Sequence, residues 1–418
     1  MKSKSRWINV SLLIASVVCG LLIAEAVARV FIEPPRGHAL SNVEQTEAHS
    51  SLMKTISDAK LLHRLAPNSP GHDVRGFRNA AIREAAADVV AIGDSQTWGI
   101  NVRQDETWPS VLGRVGKVSV YSMSLGGWGP IQYEVLAADA LLLKPRAVLV
   151  GIYFGNDIFD SCNHAYGTDA YPQYRHVDAG HAAALSDLHA RLKVADDLTR
   201  VDRALQQLTE MGGVAKLWQR LARHSLIVQI LMTQGLLPAI PSVDELYEMA
   251  DTAWAREHPE VASVYSWSNG STVMTYGYRG VAVDLANACI RDGVRITREV
   301  LDALKRLGDR TTTQIGIVFI PTKESVYAMA DRSLWAHMPK GFEDLVHNET
   351  AIKEELLDHC MRTQMVCIDA AVRLVKAAQK GMVLYKADSD GHPIAEGYRQ
   401  IAYAGQQALE AMRALSPR

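Results

Sequence analysis

Neither sign of charge is in surplus in this sequence: 44 Lys and Arg stand against 46 Asp and Glu over 418 residues, a net charge of −2. Without a basic field there is no general grip on a phosphate backbone, and nucleic acid is not an expected partner. Cysteine is scarce, five in all. None of the five forms C-x-x-C and no H-x-x-x-H is present, so no metal site and no cofactor is expected. Internal repeats and low-complexity tracts are absent, which removes solenoid and fibrous architectures. Long apolar runs are absent too, with one exception at the extreme N-terminus. What the chain does have is 48% apolar and 22% charged residues, enough to fill a core and incompatible with disorder.

The exception is Trp7 to Ala24, eighteen uncharged residues preceded by Lys2, Lys4 and Arg6. That length approaches the lower limit for a membrane-crossing helix, and the basic flank stays in the cytoplasm. Residues 1–30 therefore read as a signal anchor in the inner membrane, with the body of the chain on the periplasmic side. A cleaved signal peptide is the competing reading, because Ala24 with Ala26, or Ala26 with Ala28, offers small-residue spacing. Outside the cytoplasm Cys162, Cys289, Cys360 and Cys367 can form disulfides in three pairings; Cys360 with Cys367 is the favoured pair, and four free thiols are the alternative.

Residues 31–87 read as a linker and an irregular N-terminal packing segment. From residue 88 onward, apolar runs rich in β-branched residues alternate with helical periodicity. "DVVAIGDS", "KVSVYSMS", "RAVLVGIYFGND", "QIGIVFIPTKE" and "MVCIDAA" are five predicted strands. Helices are predicted at "GPIQYEVLAADALLLKP", "RITREVLDALKRLG", "LVHNETAIKEELLDHCMRT" and from about Pro393 to Leu415. Continuous apolar strands interleaved with helices imply an α/β fold, a three-layer α/β/α arrangement around a five-stranded, mainly parallel sheet. The third and fourth strands are too far apart for one crossover. Residues 162–283 therefore read as an inserted cap or subdomain, with helices at "DDLTRVDRALQQLTEM" and "SLIVQILMTQ" and a hairpin at "STVMTYGYRGVAV".

In an open parallel sheet, ligands bind outside the carboxyl ends of the strands. The polar residues expected there are Gly93-Asp94-Ser95, Gly126-Gly127-Trp128-Gly129, Gly155-Asn156-Asp157 and, before the last helix, Asp388, Asp390 and His392. These are the parts of a serine nucleophile and its support: a hydroxyl, an imidazole to take its proton, a carboxylate to hold the imidazole, and donors for an oxyanion. Ser95 is the candidate nucleophile, His392 the base, and Asp390, two residues before it, the orienting carboxylate. The expected oxyanion donors are the backbone N–H groups of Ser95 and Gly127 and the side-chain amide of Asn156. Asp94 is expected to shape the turn.

These blocks resemble the SGNH, or GDSL-type, hydrolase superfamily: "AIGDSQTWGINVRQDETWP" its first block, "LGGWGPIQY" its second, "GIYFGNDIFD" its third and "DSDGHPIAEGYRQIA" its last. The resemblance implies a flavodoxin-like SGNH fold over residues 88–418 and a serine esterase chemistry. Two departures accompany it. The commonest family spacing puts the acid three residues before His, where this chain has Ser389, so Asp388 stands in reserve to Asp390. Ser122 and Ser124 occupy second-block positions where Asn and Gly are usual, which leaves Gly126 beside Gly127 as a donor. The absence of G-x-S-x-G disfavours an α/β-hydrolase elbow.

"IPTKES" places Lys323 and Glu324 near the same edge, as substrate contacts or as a local ion pair, and the resemblance to membrane-anchored SGNH proteins extends to this patch. Trp98, Trp108 and Trp128 flank the loops. Trp128 is the candidate for stacking on a sugar, with core packing as the alternative. The expected function is an extracytoplasmic serine esterase or deacetylase acting on an acylated carbohydrate of envelope or exported polysaccharide, or another ester. An O-acyltransferase with the same triad and an anchored binding or assembly module are the alternatives.

Overall fold

The computed structural model describes residues 25, 55–79, 87–176, 180–196, 225, 243–336 and 338–415. Its contacts divide the chain into two units, residues 1–44 with 200–250 and residues 45–199 with 251–418, and the second carries the central sheet and the candidate site. The expected anchor, Trp7 to Ala24, lies outside the described residues, as do nearly all of the two helical stretches at about 197–211 and 226–234. Among the described residues no helix is long and apolar enough to cross a membrane.

From residue 55 the described chain forms a short antiparallel hairpin, β1 (Thr55–Asp58) and β2 (Leu62–Leu65). It then enters a parallel sheet of β3 (Val89–Gly93), β4 (Val120–Ser124), β5 (Ala147–Tyr153), β8 (Gln314–Ile320) and β9 (Val366–Asp369). Their order is β4-β3-β5-β8-β9, the doubly wound 2-1-3-4-5 pattern, and the five strands are the five expected from apolar runs. β3, β4 and β5 are buried at every position, which is why their sequences show no alternation.

The connecting helices, in chain order, are α1 (Ser95–Trp98), α2 (Trp108–Gly116), α3 (Pro130–Leu141), α4 (Asp157–Gly167), α5 (Gly180–Asp196) and α6 (Val243–Glu257). There follow α7 (Tyr276–Arg279), α8 (Ala288–Asp309), α9 (Lys323–Ala330), α10 (Lys340–Thr363), α11 (Ala371–Gln379) and α12 (Ala395–Leu415). α2 and α12 pack together on one face of the sheet, while α3, α8 and α10 cover the other, which gives the expected three layers. The last helix opens at Ala395 rather than Pro393, because Pro393 is taken up in a β-bridge with Tyr385.

Two expectations change. The hairpin expected at "STVMTYGYRGVAV" lies earlier, as β6 (Ser263–Trp267) and β7 (Gly270–Met274), and the residues after it form α7 and a 3-10 turn. Residues 55–79 are not merely packing. Arg78 donates to the carbonyls of Trp98, Gly99 and Val102, and Asn79 brackets both backbone groups of Ser122 on the edge strand β4. A side chain thereby satisfies an edge that would otherwise be open. The cysteines form two disulfides, the expected Cys360–Cys367 and also Cys162–Cys289, whose Cα atoms are 5.7 Å apart and which ties α4 to α8.

Candidate active site

Each strand of the sheet delivers one loop to the carboxyl edge, and the candidate residues meet there. β3 ends at Gly93 and Asp94 caps α1, its carboxylate accepting from Gln96 N at 2.9 Å. Ser95 is thus the first residue of a helix, where its N–H has no intrahelical acceptor. The loop between α11 and α12 brings His392 to it. His392 Nε2 lies 2.8 Å from Ser95 Oγ, and His392 Nδ1 lies 2.6 Å from Asp390 Oδ1. Asp390 Oδ1 also accepts from His392 N at 3.0 Å, so the carboxylate grips its own histidine at backbone and ring. The imidazole is 16% exposed and the carboxylate 9%, which leaves the base reachable while its partner is sheltered. Asp388 plays a different part, accepting from Asp390 N at 2.9 Å to close the turn.

That turn is held by donors from distant parts of the chain. Asn101 Nδ2 donates to Asp390 Oδ2 at 2.9 Å, and Gln96 Nε2 reaches Gly391 O at 3.4 Å. Lys323 is fully buried, and its ammonium donates to the carbonyls of Asp388 and Asp390, both at 2.9 Å. Lys323 is therefore neither the substrate contact nor the partner of Glu324 that its position suggested. Burial pushes its pKa down, and its charge is spent on the carbonyl oxygens of the triad loop. Glu324 instead accepts from Thr275 N at 2.8 Å. The 162–283 stretch contributes as well: Asp251 accepts from Ser389 N and Oγ, and Thr272 Oγ1 donates to Lys386 O.

On the oxyanion side, Gly126 and Gly127 follow β4. A Cβ at Gly126 would stand 3.5 Å from Ser95 Cβ, which puts this turn directly beside the nucleophile. Gly127 has φ of +80°, a conformation that favours glycine. His63, from the N-terminal hairpin, completes the turn. Its Nε2 bonds Gly126 O at 3.0 Å, and since a carbonyl only accepts, that nitrogen carries the proton. The Gly126 carbonyl and the Gly127 N–H belong to one peptide group, so a donor on the oxygen polarises the N–H that faces the other way. Sequence reasoning missed His63, which sits in no motif; only the fold places it there.

Asn156 caps α4 next to the nucleophile's loop. Its Nδ2 donates to Asp160 Oδ2 at 2.7 Å, and the same side chain also hydrogen-bonds Asp94, so an oxyanion would compete with that carboxyl for the second amide hydrogen. Around it lies a buried acidic group. Burial raises the pKa of Asp94, raises that of Asp157 well above the carboxylate range, and pushes Asp160 up to about 8. Tyr133 OH donates to Asp157, and Asp157 in turn accepts from Tyr153 N. With its pKa near 8, Asp160 is largely protonated at neutral pH, which lessens the negative charge beside Asn156. Nearby His164 is buried, which holds its pKa down to about 4 and the ring neutral.

Trp128 is 1% exposed, and its Nε1 donates to His63 O at 2.9 Å. It anchors the N-terminal hairpin and offers no face to a sugar. Trp108 is wholly buried and Trp98 stacks on His72, so core packing accounts for all three tryptophans. Among the described residues no group of three or more His, Cys, Asp or Glu side chains is arranged to hold a metal ion.

No protein-family model matches the chain, and no curated protein matches it. Among solved structures, it is similar to a lipolytic G-D-S-L family protein from Veillonella parvula, at 12% identity over 78% of this chain and 98% of that one, with a TM-score of 0.33. It is also similar to an extracellular lipase from Streptomyces rimosus, at 11% identity, 78% and 99% coverage and a TM-score of 0.35. A phospholipase A1 from Streptomyces albidoflavus gives 10%, 78%, 99% and 0.33. Similarity at this level carries no weight for what the chain does, which is argued below from its own residues.

Proposed function

We propose that this chain is a serine ester hydrolase of the SGNH type. The observation that carries the reading is the continuous hydrogen-bonded line from Ser95 Oγ through the imidazole of His392 to the carboxylate of Asp390, assembled from residues almost three hundred positions apart. Ser95 Oγ attacks the ester carbonyl while His392 Nε2 takes its proton, and the carbonyl π electrons move to oxygen. The donors of Ser95 N, the Gly126–Gly127 turn and Asn156 receive the resulting oxyanion. Collapse expels the alcohol, which leaves with the proton held by His392. Water, activated by the same imidazole, then attacks the acyl-serine and releases the acid and free Ser95. Asp390 stays ionised throughout, holding the Nδ1–H tautomer and stabilising the imidazolium.

The finer reading is an extracytoplasmic enzyme acting on acyl groups of envelope or exported polysaccharide. The expected N-terminal anchor and two disulfides, which persist in oxidising compartments, support the location. A sugar hydroxyl in place of the second water would make the same site an O-acyltransferase. The intact triad argues against a mere binding or assembly module. Turnover of a generic aryl acetate by the full chain tests the core proposal: activity lost in Ser95→Ala and His392→Ala is expected, and activity that survives both variants overturns it. Incubating an acetyl donor with and without oligosaccharide separates the two acceptors, because free acetate alone excludes transfer.

A further inference from the structure

We propose that Arg279 is the anion-recognising residue of the Ser95 site, so that the ester this chain acts on carries a carboxylate or phosphate close to its scissile bond. The proposal rests on the ester hydrolase reading above and narrows its substrate class. Arg279 ends α7, between the β6–β7 hairpin and α8. Its guanidinium fills the gap between two loops of the site. On one side Nη1 lies 3.5 Å from Gly155 O, immediately before Asn156. On the other, the backbone of Gly391 approaches so closely that a Cβ there would stand 2.6 Å from Nη2, and Gly391 lies between Asp390 and His392. The cation is therefore one residue along the chain from the amide and one from the imidazole that serve the reacting carbonyl.

An arginine kept in place for structure alone is normally satisfied by a carboxylate fork or by several carbonyls, as Arg78 is here. Arg279 is not. The long contact to Gly155 is its one hydrogen bond among the described residues, Nε is buried without a partner, and no carboxylate among them forms an ion pair with it. The acids that act on it do so from farther off and are otherwise engaged: Glu324 with Thr275, Asp390 with His392 and Asn101. Arg279 as a whole residue is half-buried, its Nε is enclosed, and the ring beside it, Tyr278 at 5.1 Å, is 37% exposed, while the buried Tyr153 lies 5.8 Å away. Guanidinium remains charged at any pH at which the triad works. A substrate anion reaching it would gain charge-assisted hydrogen bonds and fix the ester relative to Ser95, a gain of roughly ten- to a hundredfold in kcat/KM.

The test uses the full chain and two matched pairs of esters: mono-O-acetyl glucuronate against mono-O-acetyl glucose, and 1-acetylglycerol 3-phosphate against 1-acetylglycerol. Released acetate is measured for the wild type, Arg279→Gln and Arg279→Lys, with fluorophosphonate labelling of Ser95 as the check on a folded site. The wild type is expected to favour the charged member of at least one pair by about tenfold or more, and the pair that shows it identifies a sugar acid or a phosphate as the source. Arg279→Gln should abolish that preference and Arg279→Lys retain part of it. Equal rates on both members of both pairs overturn the proposal, as does a preference that survives Arg279→Gln. A loss in that variant falling equally on charged and neutral esters also overturns it, since it assigns Arg279 to bracing the loops. If Arg279→Gln does not fold, raising salt from ~0.05 to ~0.5 M should shrink the wild-type preference, and a salt-independent preference counts against the proposal. Failure of the underlying reading looks different: no acetate from any of the four esters and no label on Ser95 in the wild type.

Discussion

Replacing Asp390 by Asn probes the triad more sharply than deleting it, because the geometry leaves the new amide no comfortable orientation. Oδ1 of Asp390 accepts from both His392 N and His392 Nδ1, while Oδ2 accepts from Asn101 Nδ2. All three neighbours donate, so an amide must turn its NH2 either towards His392 or towards Asn101. Asn101 resists turning over, since its Nδ2 also lies 3.4 Å from His392 O. If the NH2 faces the imidazole, Nδ1 must give up its proton and Nε2 carries it, and the ring can no longer take a proton from Ser95. If it faces Asn101, the tautomer survives but the negative charge that stabilises imidazolium is gone, and a donor–donor clash costs about 1–3 kcal/mol. We expect kcat to fall by about 10³ to 10⁴, or about 4–5.5 kcal/mol at 1.36 kcal/mol per decade. Asp388→Asn, whose remaining oxygen can still accept from Asp390 N, should lose less than about tenfold. The double variant Asn101→Asp with Asp390→Asn supplies an acceptor for the misplaced NH2 and should recover part of the loss. Steady-state turnover of an aryl acetate, with folding checked by circular dichroism, decides it. An Asp390→Asn enzyme within tenfold of wild type, or an Asp388→Asn enzyme that suffers more, would refute the assignment.

Other expectations follow from the buried groups. Lys323→Met leaves Asp390 O without its ammonium donor, whereas Asp388 O keeps Val273 N. It should lower stability by about 1–3 kcal/mol and kcat far more than KM; a variant that raises KM alone would restore Lys323 as a substrate contact. Asp160, whose pKa burial lifts to about 8, binds its proton more tightly folded than unfolded. Its stabilising effect is complete below about pH 4 and drains away at up to about 1.4 kcal/mol per pH unit as pH rises towards 8. Thermal melts from pH 4 to 8 should therefore fall more steeply for wild type than for Asp160→Asn, and superimposable curves would contradict the burial argument. The Cys162–Cys289 bridge closes 127 residues and Cys360–Cys367 only 7. Chain entropy assigns them about 5 and about 2 kcal/mol, so Cys289→Ala should cost more stability than Cys367→Ala, and the reverse order in denaturant titrations would refute it.

Much of this arrangement is legible in the sequence because its signals are local. A parallel strand covered on both faces is mostly apolar, so the five strands stand out as runs even though β4 holds Ser122 and Ser124 and β9 is half-buried, and the chemistry clusters where those runs stop. Asp390 and His392 share one loop, and their pairing follows from a two-residue spacing. What was missed depends on contacts that no local pattern encodes. Lys323 looks like a surface cation until the carbonyls of Asp388 and Asp390 are brought to it from beyond β9. Trp128 looks like a sugar platform until the hairpin carrying His63 closes over it and accepts its indole N–H. "STVMTYGYRGVAV" has the aromatic and β-branched composition of strands, yet only its first residues pair, because Val261 and Pro259 draw the following turn of chain into α7 through Gly277 N and Tyr276 OH. Arg279 and His63 share that difficulty: each matters through a loop it touches, not through a motif to which it belongs.

The central claim is that the hydroxyl of Ser95 is a nucleophile because His392 removes its proton. Treating the full chain with a fluorophosphonate and mapping the adduct by mass spectrometry tests it directly. The account predicts a single phosphonylated peptide containing Ser95, absent in Ser95→Ala and formed at least about 10³-fold more slowly in His392→Ala. An adduct on another residue, or labelling of Ser95 at an undiminished rate without His392, would contradict it.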